Sequence, residues 1–241
     1  TLFGVLFRLL DKECISGGYL IDGEETGALP LSSLRRRLSV VPQEPVLMSG
    51  SLRYNLDPFD VHSDEEIVSA LKKVGLEGMS QELDQIMAEF GTNLSVGESQ
   101  LLCVARALLQ PSKILLIDEA TAHVDAHTDT KIQKVLRSEF KGRTILIIAH
   151  RLHTIMHCDR VMVIDKGDIV EFDNPATLLK KEGGAFRRLR DQGLSSSSSS
   201  SSLSPLLDAA AADSSSPPTI NNQDLVLLPA GQQTAKTTST I

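Results

Sequence analysis

Four apolar residues, Ile114 to Ile117, run directly into two adjacent carboxylates, Asp118 and Glu119. Such a run fits a strand buried on both faces. In open α/β sheets ligands sit beyond the carboxyl ends of parallel strands, so an acidic pair at that end is placed to hold a metal and activate a water. Acids at a strand end also start loops and cap helices, and the pair alone does not decide between these roles. Three further groups belong to the same question. Ser95 and Gly97, in LSVGESQ, open an apolar-periodic stretch, where free helix amides favour a phosphate and a glycine lets backbone approach closely. His150 ends the run TILIIAH and can hydrogen-bond a phosphate oxygen from the sheet edge. Gln43 follows LSVVP and brings a neutral amide to that edge. In isolation a capping Ser95, a turn Gln43 and a loop His150 would need no ligand to explain them.

The elements that must position these groups follow from periodicity. Thr144 to Ala149 and Arg160 to Asp165 are two more buried-strand signals, separated from Ile114–Ile117 by helical segments. Strand alternating with helix predicts a parallel sheet and an α/β fold. Leu2, Val5, Leu6, Leu9 and Leu10 recur at helical spacing from the first residues, with no cap before them, so the N-terminal part of the domain is expected to be missing. SGGYLIDG reads as a short extended piece, and Leu34 to Arg37 leads into the strand LSVV. Arg35, Arg36 and Arg37 precede Ser39 as in a kinase target, but Ser39 is expected within the strand and the arginines on a solvated face. From Ser51 to Leu109 the pattern is helical: Asp64, Glu65 and Glu66 suit a helix N-terminus, Ile67, Leu71 and Val74 form a stripe, and Gly75 closes the helix. A second amphipathic helix carries Leu101, Leu102, Val104, Ala105 and Leu108 and stops before Pro111. Lys166-Gly167 makes a tight turn into Asp168–Asp173, and a charged helix closes the ordered part near Gln192. Ser195 to Ser202 then opens a Ser-, Pro-, Thr- and Gln-rich stretch. The expected organisation is a domain over 1–192, with a helical insertion at about 51–110, and a disordered tail over 193–241. Ser239-Thr240-Ile241 at the end could add as a strand to a PDZ-type groove.

Composition narrows the function classes. The 241 residues suffice for one well-packed domain with an appendage, and 24 basic against 31 acidic residues give a net charge of −7. That balance disfavours a nucleic-acid binder, which needs a concentrated basic surface. Cys14, Cys103 and Cys158 share no ligand spacing and fit a reduced, cytosol-facing protein. No apolar run approaches the roughly 20 residues of a membrane span. His123 with His127, and His153 with His157, are four apart, but no acids or cysteines complete a metal site around them.

Taken together in this order, VPQEP, LSVGESQ, ILLIDE, ATAHVD and IAHR resemble the Q-loop, signature, Walker-B, D-loop and switch motifs of the nucleotide-binding domain of an ABC transporter. The resemblance covers nearly all of Thr1 to Gln192. NLDPF at Asn55 to Phe59 and the LSVG form of the signature are more like the second nucleotide-binding domain of the multidrug-resistance-associated branch, subfamily C. It implies a P-loop NTPase fold of the ABC ATPase type with a helical insertion subdomain, and ATP and Mg²⁺ as ligands. Two such domains close head to tail over two ATP molecules on the cytoplasmic face of a membrane, beside the transmembrane domains of the same transporter. Export of small organic or conjugated anionic substrates is the implied task. On this resemblance Glu119 would orient and deprotonate the attacking water, Asp118 and Gln43 would hold Mg²⁺ and its waters, and His150 would steady the γ-phosphate. Ser95, Gly97 and the neighbouring Glu98 would face the ATP of the partner domain, and Asp125 would contact that partner.

Two departures from the family pattern stand out. The P-loop GxxxxGK[ST] is not present; Thr1-Leu2 resembles the residues immediately after it, with Thr1 at the edge of the nucleotide site. A chain without those amides and that lysine is expected to bind ATP poorly on its own and to be marginally stable. Glu98 and Ser99 replace the Gln and Arg usual in this branch, and a carboxylate at that place faces phosphates and repels them. The alternative to a motor domain is a non-catalytic module, a truncated domain that pairs with another ABC domain or a channel-regulating relative, which senses nucleotide without turning it over.

Overall fold

The computed structural model describes residues 2–88, 91–120, 124–149, 152–196 and 224–229. The chain divides into two compact units, Thr1–Ile147 and Ile148–Ile241.

The first unit opens with α1 (Leu2–Leu6) and a hairpin of β1 (Leu20–Ile21) and β2 (Glu24–Glu25). Asp22 and Gly23 join the two strands at φ 51° and 80°, the doubly left-handed turn whose twist matches a hairpin. Next come α2 (Leu31–Arg36) and β3 (Leu38–Val41), whose Leu34 and Leu38 form a buried cluster with Ile21. Ser39 lies in the strand and is 1% exposed, its hydroxyl accepting from Ser112 Oγ at 2.7 Å, so the kinase-like context of the preceding arginines leads to no accessible serine. Arg37 pairs instead with Glu24 at 2.7 Å.

The span expected as a helical insertion is largely helical. It also contains a small antiparallel hairpin of β4 (Gly50–Ser51) and β5 (Ile86–Met87), too short to leave a period in the sequence. Between the two lie α3 (Leu52–Leu56), capped by Ser51, and α4 (Asp64–Lys73). Ser63 and Glu66 close a reciprocal capping box on α4, and Ile67 and Leu71 are fully buried. After α5 (Val96–Leu109) the chain enters β6 (Ile114–Asp118), then α6 (Ala126–Glu139) and β7 (Thr144–Ile148), which lies beside β6. Leu115 and Leu116 are 0% exposed, as a strand covered on both faces requires. Arg143 donates to the carbonyls of Ala107, Leu108 and Gln110, satisfying the C-terminal end of α5.

The second unit contains α7 (Leu152–Ile155), then β8 (Arg160–Asp165) turning through Lys166-Gly167 into the antiparallel β9 (Asp168–Asp173). α8 (Pro175–Lys180) starts at an Asn174 cap, and α9 (Ala185–Ser196) continues past Gln192, beyond the expected end of the ordered part. Within the span expected to be disordered, Asp224–Pro229 forms β10, parallel to β8, with Leu225 opposite Arg160 and Pro229 opposite Ile164. The terminal Ser239-Thr240-Ile241 lies outside the described residues. Among the described residues no helix is long and apolar enough to cross a membrane. Cys103 and Cys158 are buried free thiols and Cys14 is an exposed one.

Candidate nucleotide site

The acidic pair and Gln43 meet through strand register. β3 and β6 run parallel with Val41 opposite Ile117, so the residues leaving each strand emerge side by side at their carboxyl ends. Gln43 Nε2 donates to Glu119 Oε2 at 3.3 Å. Asp118 is the last residue of β6 and half-buried, whereas Glu119 leaves the strand at φ 44°, a left-handed backbone that a glutamate adopts only when its surroundings hold it there.

The turn at Gln43 is fastened from the helices. Gln100 of α5 donates through Nε2 to Pro42 O at 3.0 Å. Arg106, two turns further along α5, donates to Val46 O at 3.1 Å and Asn55 O at 2.8 Å. Asn55, fully buried in α3, accepts from Met48 N and donates to Met48 O, both at 2.8 Å. A side-chain amide thus stands in for a strand neighbour and pairs both backbone groups of Met48. Neither Gln100 nor Asn55 was legible as a positioning residue, because a polar residue in an apolar stripe gives no sign of which distant carbonyl it will meet.

LSVGESQ does form a helix start. Ser95 is the N-cap of α5, its hydroxyl accepting from Glu98 N at 3.2 Å. Glu98 closes the box: Oε2 accepts from Ser95 N at 2.9 Å and from Ser95 Oγ at 2.7 Å. The hydroxyl and the amide of Ser95 together hold the Glu98 carboxyl below its ordinary range. Gly97 faces α6, where an added Cβ would come within 3.1 Å of Thr128 Cγ2 and Oγ1. The two helices thus approach closely here, and a larger residue would require the Thr128 side chain to give by a few tenths of an ångström. Asp125 caps α6 by accepting from His127 N at 3.0 Å and Thr128 N at 3.1 Å. The Thr128 hydroxyl, then those amides, depress its carboxyl.

The structure therefore brings Gln43 and Glu119 into contact, and sets Ser95, Gly97 and Glu98 in the first turn of a helix whose neighbour begins at Asp125. Thr1, His150 and His123 lie outside the described residues. Among the described residues no group of three or more His, Cys, Asp or Glu side chains could hold a metal. An Mg²⁺ held mainly by waters and phosphate oxygens needs only one or two protein oxygens, and the Asp118 carboxylate and Gln43 amide are hard donors of that kind beyond two neighbouring strand ends.

The site is framed by a parallel sheet with an acidic strand end, a glutamine turn beside it and a capped LSVGE helix. The family model described as ABC transporter matches residues 1–122, and the chain belongs to that family, with a P-loop NTPase fold of the ABC ATPase type. ATP-binding cassette sub-family C member 2 of Rattus norvegicus is 46% identical over 200 residues, covering 81% of this chain and 13% of that protein. The probable multidrug resistance-associated protein lethal(2)03659 of Drosophila melanogaster is 48% identical over 197 residues, 80% of this chain and 14% of that protein. Human ATP-binding cassette sub-family C member 4 is 45% identical over 196 residues, 80% and 15% of the respective lengths. The chain thus spans only a small part of the curated relatives it matches. Among solved structures, that of a bacterial Atm1-family ABC exporter with ATP bound superposes with a TM-score of 0.73 at 33% identity, covering 80% of this chain and 34% of that one.

Proposed function

We propose that this chain is the ATP-binding and ATP-hydrolysing domain of a subfamily C exporter, of the kind that occupies the C-terminal half of multidrug-resistance-associated transporters. The observation that carries the reading is the Gln43–Glu119 contact of 3.3 Å beside Asp118 at the ends of two parallel strands. A hydrolase needs a carboxylate base next to a metal-holding pair, and a strained Glu119 directed by Gln43 supplies it. Asp118 and Gln43 would hold Mg²⁺, which when bound neutralises developing charge on the phosphates. Glu119 would orient the water and accept its proton. His150 would donate to the γ-phosphate, and Thr1 would border the phosphate cradle. Ser95, Gly97 and Glu98 would face the nucleotide of a second ABC domain docked head to tail, with Asp125 at that interface. Transmembrane domains on the other side would pass small organic or conjugated anions outward, with this domain on the cytoplasmic face.

A second reading, a module that pairs or senses nucleotide without turnover, draws on one observation: the Glu98 carboxylate already fills the helix end that would receive the partner's phosphate. The two readings separate on Mg-ATP binding and turnover by the chain carrying the P-loop segment of a subfamily C relative before Thr1, with Glu119→Gln as control. The motor reading expects turnover that the substitution lowers by about a hundredfold or more while binding persists. Binding without turnover in the unsubstituted protein would replace it with the sensing module.

A further inference from the structure

Gln43 reaches Glu119 from a place where the strand no longer holds it. The β3–β6 ladder ends at Val41 opposite Ile117, so Gln43 stands level with Glu119 two residues beyond the last paired position. Gln43 is exposed, and packing does not choose a direction for its side chain. What fixes the direction lies one residue back. The Pro42 carbonyl and the Gln43 nitrogen belong to one planar peptide unit, which runs from Pro42 Cα to Gln43 Cα. The proline ring sets one torsion before that plane, with φ at about −65°. Gln100 sets the other, because its Nε2 donates to Pro42 O at 3.0 Å. With both torsions set, the plane places Gln43 Cα and aims its N–Cα bond, the base from which the side chain swings to Glu119.

Packing alone would not put a glutamine at position 100. Gln100 is 1% exposed, and Leu101, Leu102, Cys103 and Val104 after it are all buried. A methionine of similar shape would fill the space with no polar amide to satisfy. The amide is accounted for by its bond to a carbonyl 58 residues away in sequence. We infer that Gln100 is a positioning residue for the hydrolytic pair: through the Pro42–Gln43 peptide it holds the Gln43 amide within reach of Glu119, and so aims that carboxylate at its water. The inference rests on the hydrolase reading above and adds a residue to it. Its effect passes through Gln43, so it vanishes where Gln43 has no amide to aim.

The test has two arms. The first uses the 241-residue chain without nucleotide. Glu119→Gln changes the partner of the Gln43 side-chain amide, and ¹H–¹⁵N NMR reads the resulting displacement of the Gln43 NH₂ signals. That displacement should shrink at least about threefold when Gln100→Met is already present. Pro42→Ala frees the other torsion and leaves the interior of α5 untouched; it should shrink the displacement in the same way, and it replaces Gln100→Met if that variant does not fold. The second arm uses the chain carrying the P-loop segment of a subfamily C relative before Thr1. Gln100→Met should lower kcat by about tenfold with little change in KM for ATP, and the double variant with Gln43→Ala should be no slower than Gln43→Ala alone. An undiminished displacement, or losses of kcat that multiply in the double variant, would overturn the inference and leave the hydrolase reading standing. Absence of turnover in the unsubstituted P-loop-bearing chain would overturn the hydrolase reading, and the role of Gln100 with it.

Discussion

Asp118 and Glu119 are adjacent acids with different backbones. Asp118 ends β6 in extended conformation, and Glu119 turns away at φ 44°. In that region the Cβ crowds the following carbonyl, at a cost of about 1–2 kcal/mol that glycine escapes. The residue offered as the base therefore sits at a position that stability alone would give to glycine, in the manner of strained functional sites. Replacing Glu119 by Gly or by Ala removes the same carboxylate and the same bond from Gln43, so the difference between the two variants reports the backbone alone. Glu119→Gly is expected to be more stable than Glu119→Ala by about 1 kcal/mol in urea unfolding, followed by far-UV circular dichroism because the chain has no Trp. Equal stabilities would mean that the turn relaxes once the side chain is gone. The chemistry of this pair was legible from types and position alone, since an apolar run ending in two acids specifies both a strand and its end. The left-handed turn was not, because nothing local distinguishes a glutamate held there by its surroundings from one in an ordinary loop.

Among the elements, α9 depends on a residue far from it in sequence. Glu171 in β9 is 6% exposed; its carboxylate accepts from Ala185 N at 3.0 Å and Phe186 N at 2.9 Å, and Lys181 Nζ lies 3.2 Å away. It serves as the cap that α9 does not carry in its own sequence, and it fixes Phe186, which is fully buried. Burial alone would raise the carboxyl, but the two amides and Lys181 outweigh it and leave it below its ordinary value of 4.5. A group depressed in the folded state contributes stability above its unfolded value and loses that contribution as pH falls through the folded one. Glu171→Gln leaves one amide facing another donor, so it should cost about 1.5–3 kcal/mol at pH 7. The gap between variant and native chain should close as pH drops below 4.5, read by urea unfolding over a pH series. A gap independent of pH would mean that shape, not charge, holds the helix. Elements with local signals are readable in advance: α4 by its acidic first turn and apolar stripe, α5 by its apolar stripe and Ser95 at its start, and β6 by its apolar run. The β4–β5 hairpin and the Glu171 cap are not, since both are made by partners distant in sequence, and in DIVEFD the glutamate looks like one more outward residue of an alternating strand.

At the scale of the whole chain, the tail poses the sharpest question. Its Ser, Pro, Thr and Gln content predicts disorder over 193–241, and Asp224–Pro229 pairs in parallel with β8 over five residues from Arg160 to Ile164. A parallel pairing requires the chain to cross back over, so the strand is recruited by the edge it finds. β8 provides such an edge: Val161 and Val163 are 0% exposed, and β9 pairs with its other side. Since donors along a strand alternate in direction, only part of the β8 amides can point at β10, while the others bond to β9. Truncation after Ser196 should therefore speed hydrogen exchange at alternate residues of β8, by at least about tenfold, and leave the intervening amides bonded to β9 protected. That alternation distinguishes loss of a strand from general loosening of the unit, which would raise exchange at every position of β8. Unchanged exchange at all of them would mean that the tail contributes nothing to the ladder in solution and that the β8 edge stands open to another strand.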